Sequence, residues 1–374
     1  MGTGADDKGA TLEELDAAAR EAEERVTGAL NVGAALAMMR ARHSGERGPV
    51  PLCLVDGPGP LTPWDAAEEL LGGGLWPGLW MLVGPTGTGK TQLALSLALG
   101  AALKGCPVAY VGLELDEVGI VARLVGLRSR TPWSGLYLGS TELTGAALRA
   151  AKELEGLPIV AEYGSPMGWP PDKLAEVAAR LAKLAKARGI DTKRRPPLVV
   201  LDFLQLVGDT TEAAASGRTM QVRERIQFAA YQARAVAREH GVAVLAVSST
   251  SRDNVGRLWL GAAEELPMPS ALVGTGKESG EIEYSADGVL VLVGHQGDGY
   301  GERQVSVAVA KQRAGRTGWL HLAFNGHRHR PSTGEELASR QTAEAEAKEA
   351  AKPAKRGAAK GQPRRPLAPG EVPE

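Results

Sequence analysis

The 374-residue chain has few aromatic residues and almost no net charge. Phe, Trp and Tyr together make up 4% of it, which leaves little material for platforms on which nucleic-acid bases stack. The formal net charge of −1 excludes a bulk attraction to polyanions, so any contact with nucleic acid must come from local patches. No sequence-reading motif is present. We therefore do not expect recognition of a specific base sequence.

Cysteine is also scarce, and long apolar runs are missing. The two cysteines, Cys53 and Cys106, lie in apolar surroundings without CxxC spacing or histidine companions. This pattern argues against a zinc site and a disulfide scaffold, and it predicts two reduced, buried thiols. The N-terminus lacks a basic start followed by an apolar run, and no stretch approaches the roughly 18 apolar residues of a membrane span. We expect a cytoplasmic protein with no membrane partner.

The chain is nevertheless 43% hydrophobic, which is enough to fill the core of a globular enzyme. We divide it into an N-terminal segment at residues 1–48, one α/β domain at residues 49–334 and a tail at residues 335–374. The tail is rich in Ala, Glu, Lys, Pro and Arg, so we expect it to be disordered. Its basic end is either merely solvated or makes nonspecific contacts with phosphates.

The N-terminal segment carries the pattern of one amphipathic helix. Thr11 and Glu14 have the form of a capping box, and apolar residues then recur at helical spacing to about Arg42. Two interpretations stay open, because such a helix packs either on its own domain or against a neighbouring subunit. A Pro/Gly-rich stretch at residues 48–63 breaks the pattern and predicts a linker.

Short apolar runs alternate with helical segments through the α/β domain. The runs that predict strands are Trp80–Val83, Val108–Leu113, Leu198–Leu201, Val242–Val247, Gly288–Val293, Gln304–Ala310 and Trp319–Phe324. The segments that predict helices are Thr91–Leu103, Pro171–Ala187 and Gln221–His240. This order indicates a mainly parallel central sheet flanked by helices, with extra strands at the end of the sheet.

A phosphate-binding loop lies between the first predicted strand and the helix that follows it. The loop consists of Gly84, Pro85, Thr86, Gly87, Thr88, Gly89, Lys90 and Thr91, and Gln92 follows it. It matches GxxxxGK[ST] in the strand–loop–helix context that the motif requires. We expect these residues to bind ATP: backbone N–H groups face the phosphates, Lys90 reaches the terminal phosphates, and Thr91 ligates Mg²⁺.

Two carboxylates follow predicted strands near this loop. Asp202 ends the apolar run that begins at Leu198, so a buried strand delivers it to the edge of the sheet where ligands of such folds bind. Glu114 ends the run that begins at Val108 in the same way. Hydrolysis needs a carboxylate near the metal and a base for the attacking water. We predict that Asp202 is the Mg²⁺ ligand and that Glu114 is the general base.

These motifs together resemble the ATPase domain of DnaB-type replicative helicases, from about Leu61 to Pro331. The segment 72–78 is similar to the turn before the phosphate loop of that family, and 112–115 is similar to the segment with its catalytic glutamate. The segment 201–206 resembles its second nucleotide motif, which adds Gln205 to the expected nucleotide-binding residues. The resemblance implies a RecA-like P-loop ATPase core.

Two later segments, 278–287 and 310–318, also resemble signatures of the family. In the family, a Lys and an Arg of the second signature reach the γ-phosphate bound to the neighbouring subunit. By this resemblance Lys311 and Arg313 act catalytically in trans, where a cation stabilises charge that develops during phosphoryl transfer. The resemblance thereby implies a homo-oligomer, expected to be a hexameric ring.

The chain departs from the family at three places. The long helical N-terminal domain of the family has no room before Leu61, so only the single predicted helix near Thr11 remains. Ser249 stands where the family usually places a glutamine that senses the γ-phosphate. The serine side chain is shorter than glutamine, so whether hydrolysis stays coupled to movement of the loop that follows, 252–283, is left open. That loop is the third departure, because it is long and carries Trp259 and Gly-rich turns.

In related rings, loops after the second nucleotide motif and after the sensor strand line the channel for nucleic acid. The cations on these loops here are Arg218, Arg252, Arg257 and Lys277, which we predict to contact single-stranded DNA. Such cations track the backbone irrespective of base sequence.

The preferred hypothesis is a Mg²⁺-dependent ATPase that moves along single-stranded DNA and unwinds duplex DNA during replication, with a helicase loader or a primase as possible partners. Two alternatives stay open. The first is a RecA-like recombinase or regulatory ATPase that unwinds nothing, and the second is a nucleotide-gated DNA-binding scaffold with negligible turnover.

Overall fold

The structure is a computed structural model, and it describes residues 32–164, 168–261, 265–277, 280–295, 302–336, 338–339 and 342. The first 31 residues of the predicted N-terminal segment and most of the predicted tail lie outside them. No helix in the described ranges combines the length and the apolar character that crossing a bilayer requires.

Helices and strands alternate along most of the described chain. The helices are α1 Val32–His43, α2 Asp65–Leu71, α3 Lys90–Leu103, α4 Glu117–Ser129, α5 Trp133–Leu138, α6 Gly145–Glu155, α7 Leu174–Ala187, α8 Thr211–Ala215, α9 Val222–His240, α10 Arg252–Leu258 and α11 Gly280–Ser285. Short 3₁₀ turns cover Pro171–Lys173, Leu204–Leu206 and Pro269–Leu272. The strands are β1 Cys53–Leu54, β2 Thr62–Pro63, β3 Gly78–Gly84, β4 Val108–Gly112, β5 Ile159–Tyr163, β6 Leu198–Asp202, β7 Ala243–Ser249, β8 Trp259–Leu260, β9 Gly288–His295, β10 Arg303–Gln312, β11 Gly318–Phe324 and β12 His329–Pro331.

The central sheet is parallel in its middle and antiparallel at one end. The strand order is β12-β11-β10-β9-β3-β7-β6-β4-β5, and β8 pairs with β9. The strands from β9 to β5 run parallel to their neighbours, whereas β10, β11 and β12 join by antiparallel pairing. This confirms a largely parallel sheet with extra strands at its end. The predicted strands read as continuous apolar runs because the sheet is covered on both faces.

One hydrophobic cluster lies on each face of the sheet. The first packs α3 and α4 on one face, and it includes Leu93 and Ile120 from these helices. The second packs α7 and α9 on the other face, and it includes Leu181 and Ile226. The two layers cover both faces of the sheet, and the loops at the carboxyl ends of the parallel strands β3, β4, β6 and β7 lie at one edge of it.

The predicted linker at residues 48–63 is wrong. Leu52, Leu54 and Val55 are fully buried in the first cluster, and the Val55 amide donates to Ser96 Oγ on α3 at 2.9 Å. A Cβ on Gly100 of α3 would lie 2.3 Å from the Cys53 carbonyl oxygen, so this helix and strand touch backbone to backbone. Several of the Pro and Gly residues of this segment lie in the connection between β1 and β2, which belongs to the domain. Cys53 and Cys106 are free and buried, as predicted.

Several elements were not expected from the sequence. These elements are the edge strand β5 and the helices α4, α5 and α6, which precede it. They lie between Leu113 and Pro171, where the sequence pattern predicts no helix or strand. The strand β5 is half-exposed, so it lacks the continuous apolar run that identified the central strands. The helix α1 is the described end of the predicted amphipathic helix, and none of its residues is buried against the domain.

Candidate functional site

The phosphate-binding loop forms the turn between β3 and α3. Gly87 and Gly89 adopt positive φ angles of 90° and 84°, a conformation that L-residues with a Cβ rarely reach. A Cβ on Gly89 would also lie 2.7 Å from the Phe324 ring and 2.7 Å from the His329 ring, which stack on each other with centroids 4.3 Å apart. The loop therefore rests on aromatic side chains from β11 and β12. Glycine is required at this point for both conformation and space.

Lys90 begins α3 and points back into the loop. Its Nζ donates to the Pro85 carbonyl oxygen at 3.0 Å. Burial lowers the pKa of the Lys90 ammonium to about 8, although the negative charges of Asp202 and Glu114 oppose this shift. The side chain thus stands where a polyanion would compensate the cost of burying its charge.

This pKa predicts that nucleotide binding takes up a proton. Free Lys90 loses its charge as the pH rises through about 8, whereas bound phosphates favour the ammonium and raise its pKa. We expect the ATP dissociation constant to increase by up to about tenfold per pH unit above pH 8, since one proton is linked to binding. Calorimetric titration in buffers with different ionisation enthalpies measures this uptake. Lys90→Arg, which stays charged, should remove the pH dependence, and its persistence there would contradict the assignment.

Asp202 ends β6 and is 1% exposed. Its Oδ2 accepts a hydrogen bond from the Tyr110 hydroxyl at 2.5 Å, and Thr91 also donates to the carboxylate. Burial raises the pKa of the Asp202 carboxyl, while these two hydrogen bonds and the charge of Lys90 oppose the shift. Its Oδ1 is buried and has no hydrogen-bond partner among the described residues.

This arrangement fits Mg²⁺. A buried carboxylate oxygen without a donor costs free energy unless a cation or a water satisfies it. The Thr91 hydroxyl lies on the same carboxylate, and both groups are hard oxygen ligands. The described residues contain no cluster of three or more His, Cys, Asp or Glu that suits a metal. A cation here would therefore be held by one or two protein oxygens together with phosphates, which is the usual way proteins bind Mg²⁺.

Glu114 lies at the same edge of the sheet as Asp202. The strands β4 and β6 are parallel neighbours with Gly112 opposite Asp202, and the Leu113 amide donates to the Asp202 carbonyl oxygen at 2.7 Å. The side chain of Glu114 is exposed and lines the cavity above the phosphate-binding loop. It is therefore open to water, whereas Asp202 is not. This difference suits one carboxylate to the metal and the other to an attacking water.

The cavity itself has a volume of about 430 Å³. The expected loop residues in its wall are Thr86, Gly87, Gly89, Lys90, Thr91 and Gln92, together with Glu114 and Asp202. Other residues in the wall were missed by the sequence analysis, including Arg123, Trp133, Arg303 and Phe324. These four come from α4, α5, β10 and β11, so no local motif connects them.

Arg123 is one of the cavity residues that the sequence did not predict, and its charge acts on both carboxylates. Its guanidinium lies over the Trp133 ring, 3.6 Å from the centroid, and it interacts with the charges of Asp202 and Glu114. Burial lowers its pKa, but an arginine keeps its charge in proteins. Its position nine residues after Glu114 was the only signal in the sequence, and it has meaning only once α4 is known to face the cavity.

Arg313 and Lys311 do not line this cavity. The Arg313 guanidinium forms an ion pair with Asp287 at 3.2 Å and donates to the Ser285 carbonyl oxygen, while Lys311 donates to the Glu283 carbonyl oxygen. Asp287 in turn accepts from the Leu79 amide at the start of β3. The phosphate-binding loop follows the other end of β3, roughly 20 Å away at the usual rise of a strand. Both cations are thus too far away to act on a nucleotide bound to their own chain.

The predicted DNA contacts divide into two groups. Arg252 and Arg257 lie exposed on α10, and Lys277 is exposed beside the end of β7, where its amide donates to the Ser249 carbonyl oxygen at 2.7 Å. An antiparallel bridge between Thr250 and Gly276 brings these two segments together. Arg218 lies on a different segment, three residues after the end of α8, and its guanidinium is 3.3 Å from the Glu224 carboxylate.

Gln205 lies beside the cavity but outside its wall. Its amide donates to Ser248 Oγ at 2.8 Å and to the Lys277 carbonyl oxygen at 3.0 Å, and its Oε1 accepts from the Ser249 amide. Ser249 does line the cavity. Gln205 therefore connects β6, the end of β7 and the segment with Lys277, whereas its predicted contact with nucleotide stays a prediction.

Comparison with known proteins agrees with this architecture. The family model of the DnaB-like helicase C terminal domain matches residues 64–332. The structure is similar to a solved ATPase domain, with 19% identity, a TM-score of 0.62 and coverage of 81% of this chain and 99% of that one. It is also similar to a DnaB-like replicative helicase solved for its interactions with primase, with 19% identity, a TM-score of 0.58 and coverage of 84% and 70%. No curated protein matches the chain.

Proposed function

Because the chain belongs to the family of the DnaB-like helicase C-terminal domain, which makes it an ATP-hydrolysing helicase, we propose that it uses Mg²⁺-ATP to move along single-stranded DNA and to unwind duplex DNA during replication. The observation that carries this proposal is the pairing of a buried carboxylate, Asp202, with an exposed one, Glu114, at one sheet edge beside the phosphate-binding loop. Asp202 can then ligate the metal while Glu114 activates the attacking water.

The residues of the cavity take distinct roles in this proposal. Backbone N–H groups of the loop and the Lys90 ammonium bind the phosphates, and Arg123 adds a further positive charge from the same chain. Thr91 and Asp202 would hold Mg²⁺, which, when bound, neutralises charge on the phosphates. Glu114 orients a water toward the γ-phosphate and accepts its proton. The open side of the cavity leaves room for a group from another subunit.

A homo-oligomeric ring, expected to be a hexamer, would complete the site. Arg313 and Lys311 lie at the opposite edge of the sheet, so a neighbour in a head-to-tail ring can bring them to the nucleotide. The unburied helix α1 supports the same proposal, because a helix that leaves all its residues accessible on its own domain is available to a second subunit. We further propose the domain division of residues 1–48, 49–334 and 335–374.

Single-stranded DNA is the proposed polymer substrate. Arg252, Arg257 and Lys277 gather where β7 meets α10, and we assign them, together with Arg218 on a separate loop, to phosphate contacts. One similar structure is that of a DnaB-like replicative helicase solved for its interactions with primase. We therefore propose a primase as a protein partner of this chain. A helicase loader is a second proposed partner.

Unwinding of a forked DNA tests the proposal against a recombinase, a regulatory ATPase or a DNA-binding scaffold. We expect Mg²⁺-ATP to separate the strands of a fork that has single-stranded tails, and EDTA or Asp202→Asn to abolish separation because the metal ligand is lost. Strand separation is followed by a fluorophore–quencher pair on the two strands, and phosphate release is followed in parallel. ATP hydrolysis with an intact fork would favour the recombinase or regulatory ATPase. No phosphate release with or without DNA would favour the scaffold.

A further inference from the structure

Arg303 occupies an unusual position between two aromatic rings above the phosphate-binding loop. Its guanidinium carbon lies 5.1 Å from the centroid of Phe324 and 5.4 Å from that of Trp259. Its Nη2 donates to the Gly87 carbonyl oxygen, which is part of the loop itself. Its Nε is buried and has no hydrogen-bond partner among the described residues, although the side chain lines the nucleotide cavity. At least one donor of this guanidinium is therefore left over for a ligand in this cavity.

Trp259 connects this stack to the segment with the proposed DNA contacts. It follows α10 directly, so that Arg257 stands two residues before it in the chain. Its ring packs closely on β9, since a Cβ on Gly294 would lie 2.5 Å from Trp259 Cζ3. The ring also approaches the phosphate-binding loop, where a Cβ on Gly87 would lie 3.6 Å from Cζ2. A single aromatic side chain thus joins the end of α10 to the loop.

We propose that Arg303 and Trp259 are positioning residues that couple occupancy of the nucleotide cavity to the DNA-binding segment on α10. This inference rests on the proposed function, because it concerns the same nucleotide and the same DNA contacts. Arg303 contacts the nucleotide. When the Arg303 guanidinium moves, the Trp259 ring transmits this movement to α10.

The physical basis is an exchange of hydrogen-bond partners. Arg303 donates to the neutral carbonyl oxygen of Gly87, and hydrogen bonds in which both partners are charged are stronger than a bond to such a neutral acceptor. A nucleotide in the cavity therefore competes for the guanidinium. Because the guanidinium is stacked between two rings, its movement changes the support of the Trp259 ring. The ring packs on Gly294 of β9, and Trp259 directly follows α10 in the chain, so a change in the contacts of the ring acts at the end of α10.

The test measures the affinity of full-length protein for a fluorescent oligo-dT with and without a non-hydrolysable ATP analogue at saturating concentration. The ratio of the two dissociation constants is the coupling factor, which we expect to be about tenfold or more in the unmodified protein, within the usual range for coupled sites. We expect Trp259→Ala and Arg303→Gln to reduce it to less than about twofold. The factor is a ratio within each variant, so a general loss of DNA affinity cancels.

Two further variants separate stacking from charge, and a third is a control for the loss of a stacked ring. Trp259→Phe keeps a ring and should retain at least about half of the coupling free energy, whereas Arg303→Lys keeps the charge without the planar stack and should lose most of it. Trp76→Ala is the matched control, because it removes another Arg–Trp stack, in which Arg42 lies 4.9 Å from the Trp76 ring. That stack involves no residue of the cavity wall, and its loss should leave the coupling factor unchanged.

Full coupling in Trp259→Ala would overturn the inference, as would a coupling factor of one in the unmodified protein or an equal loss in Trp76→Ala. Failure of the proposed function looks different, because fork unwinding would then be absent in the unmodified protein. A Trp259→Ala variant that keeps ATP hydrolysis while nucleotide no longer changes its DNA affinity would support the coupling role.

Discussion

Glu114→Gln is expected to bind ATP and to hydrolyse it at least about 100-fold more slowly than the unmodified protein, which is the usual contribution of a general base. Glutamine has nearly the same shape as glutamate, but its neutral amide does not accept a proton from the attacking water. The cavity wall contains no other described carboxylate except Asp202, which is buried against Tyr110 and Thr91. No described neighbour can therefore replace Glu114.

Single-turnover phosphate release, together with ATP binding measured separately, checks this expectation. Glu117→Gln is the matched control, since Glu117 lies three residues further along, accepts from the Tyr163 hydroxyl at 2.8 Å and does not line the cavity. We expect its turnover to stay within about twofold of the unmodified protein, as for most surface substitutions. An undiminished rate in Glu114→Gln would remove this residue from the mechanism, and a loss of ATP binding would show a different role.

Mixing two inactive variants is expected to restore ATP hydrolysis. Arg313→Ala keeps an intact phosphate-binding loop but lacks the arginine that we propose acts on the neighbouring subunit's nucleotide. Lys90→Ala keeps that arginine but lacks the lysine that binds the phosphates. Each alone should lose at least about 1000-fold in turnover, the range observed when an arginine finger is removed. In a ring of equal and randomly mixed subunits, about a quarter of the interfaces combine an intact loop with an intact finger, because such interfaces are head-to-tail. About a quarter of the unmodified activity should therefore return.

The position of Arg313 makes this a sharp test, because Arg313 lies across the sheet from the cavity of its own chain and forms an ion pair with Asp287 of that same chain. Arg316→Ala is the control on the same hairpin, since Arg316 is exposed and pairs with the exposed Glu69 at 3.2 Å. It should remain active without a partner variant. If no mixing ratio restores activity after the subunits have been exchanged, Arg313 does not act in trans.

The parts of the site that contiguous sequence encodes were predictable. The loop from Gly84 to Thr91 has its glycines, lysine and threonine within eight positions, and the apolar runs before Glu114 and Asp202 end at those carboxylates. In a parallel sheet the carboxyl ends of neighbouring strands meet at one edge, so both carboxylates were expected beside the loop. The structure confirms the strands, although the order that makes β4 and β6 neighbours could not be read from the chain.

The tertiary structure decided everything that depends on contacts between distant segments. Residues 48–63 have the composition of a linker, yet burial of Leu52 and Leu54 against α3 makes them part of the core. Arg303 and Trp259 have no motif, and they meet only because β8 and β10 both pair with β9. The sequence by itself determined the local phosphate chemistry, since backbone conformation and strand ends follow from neighbouring residues. Only the folded sheet decided which side chains line the cavity and which lie at the opposite edge of the sheet, because strand order and register bring together residues that are far apart in the chain.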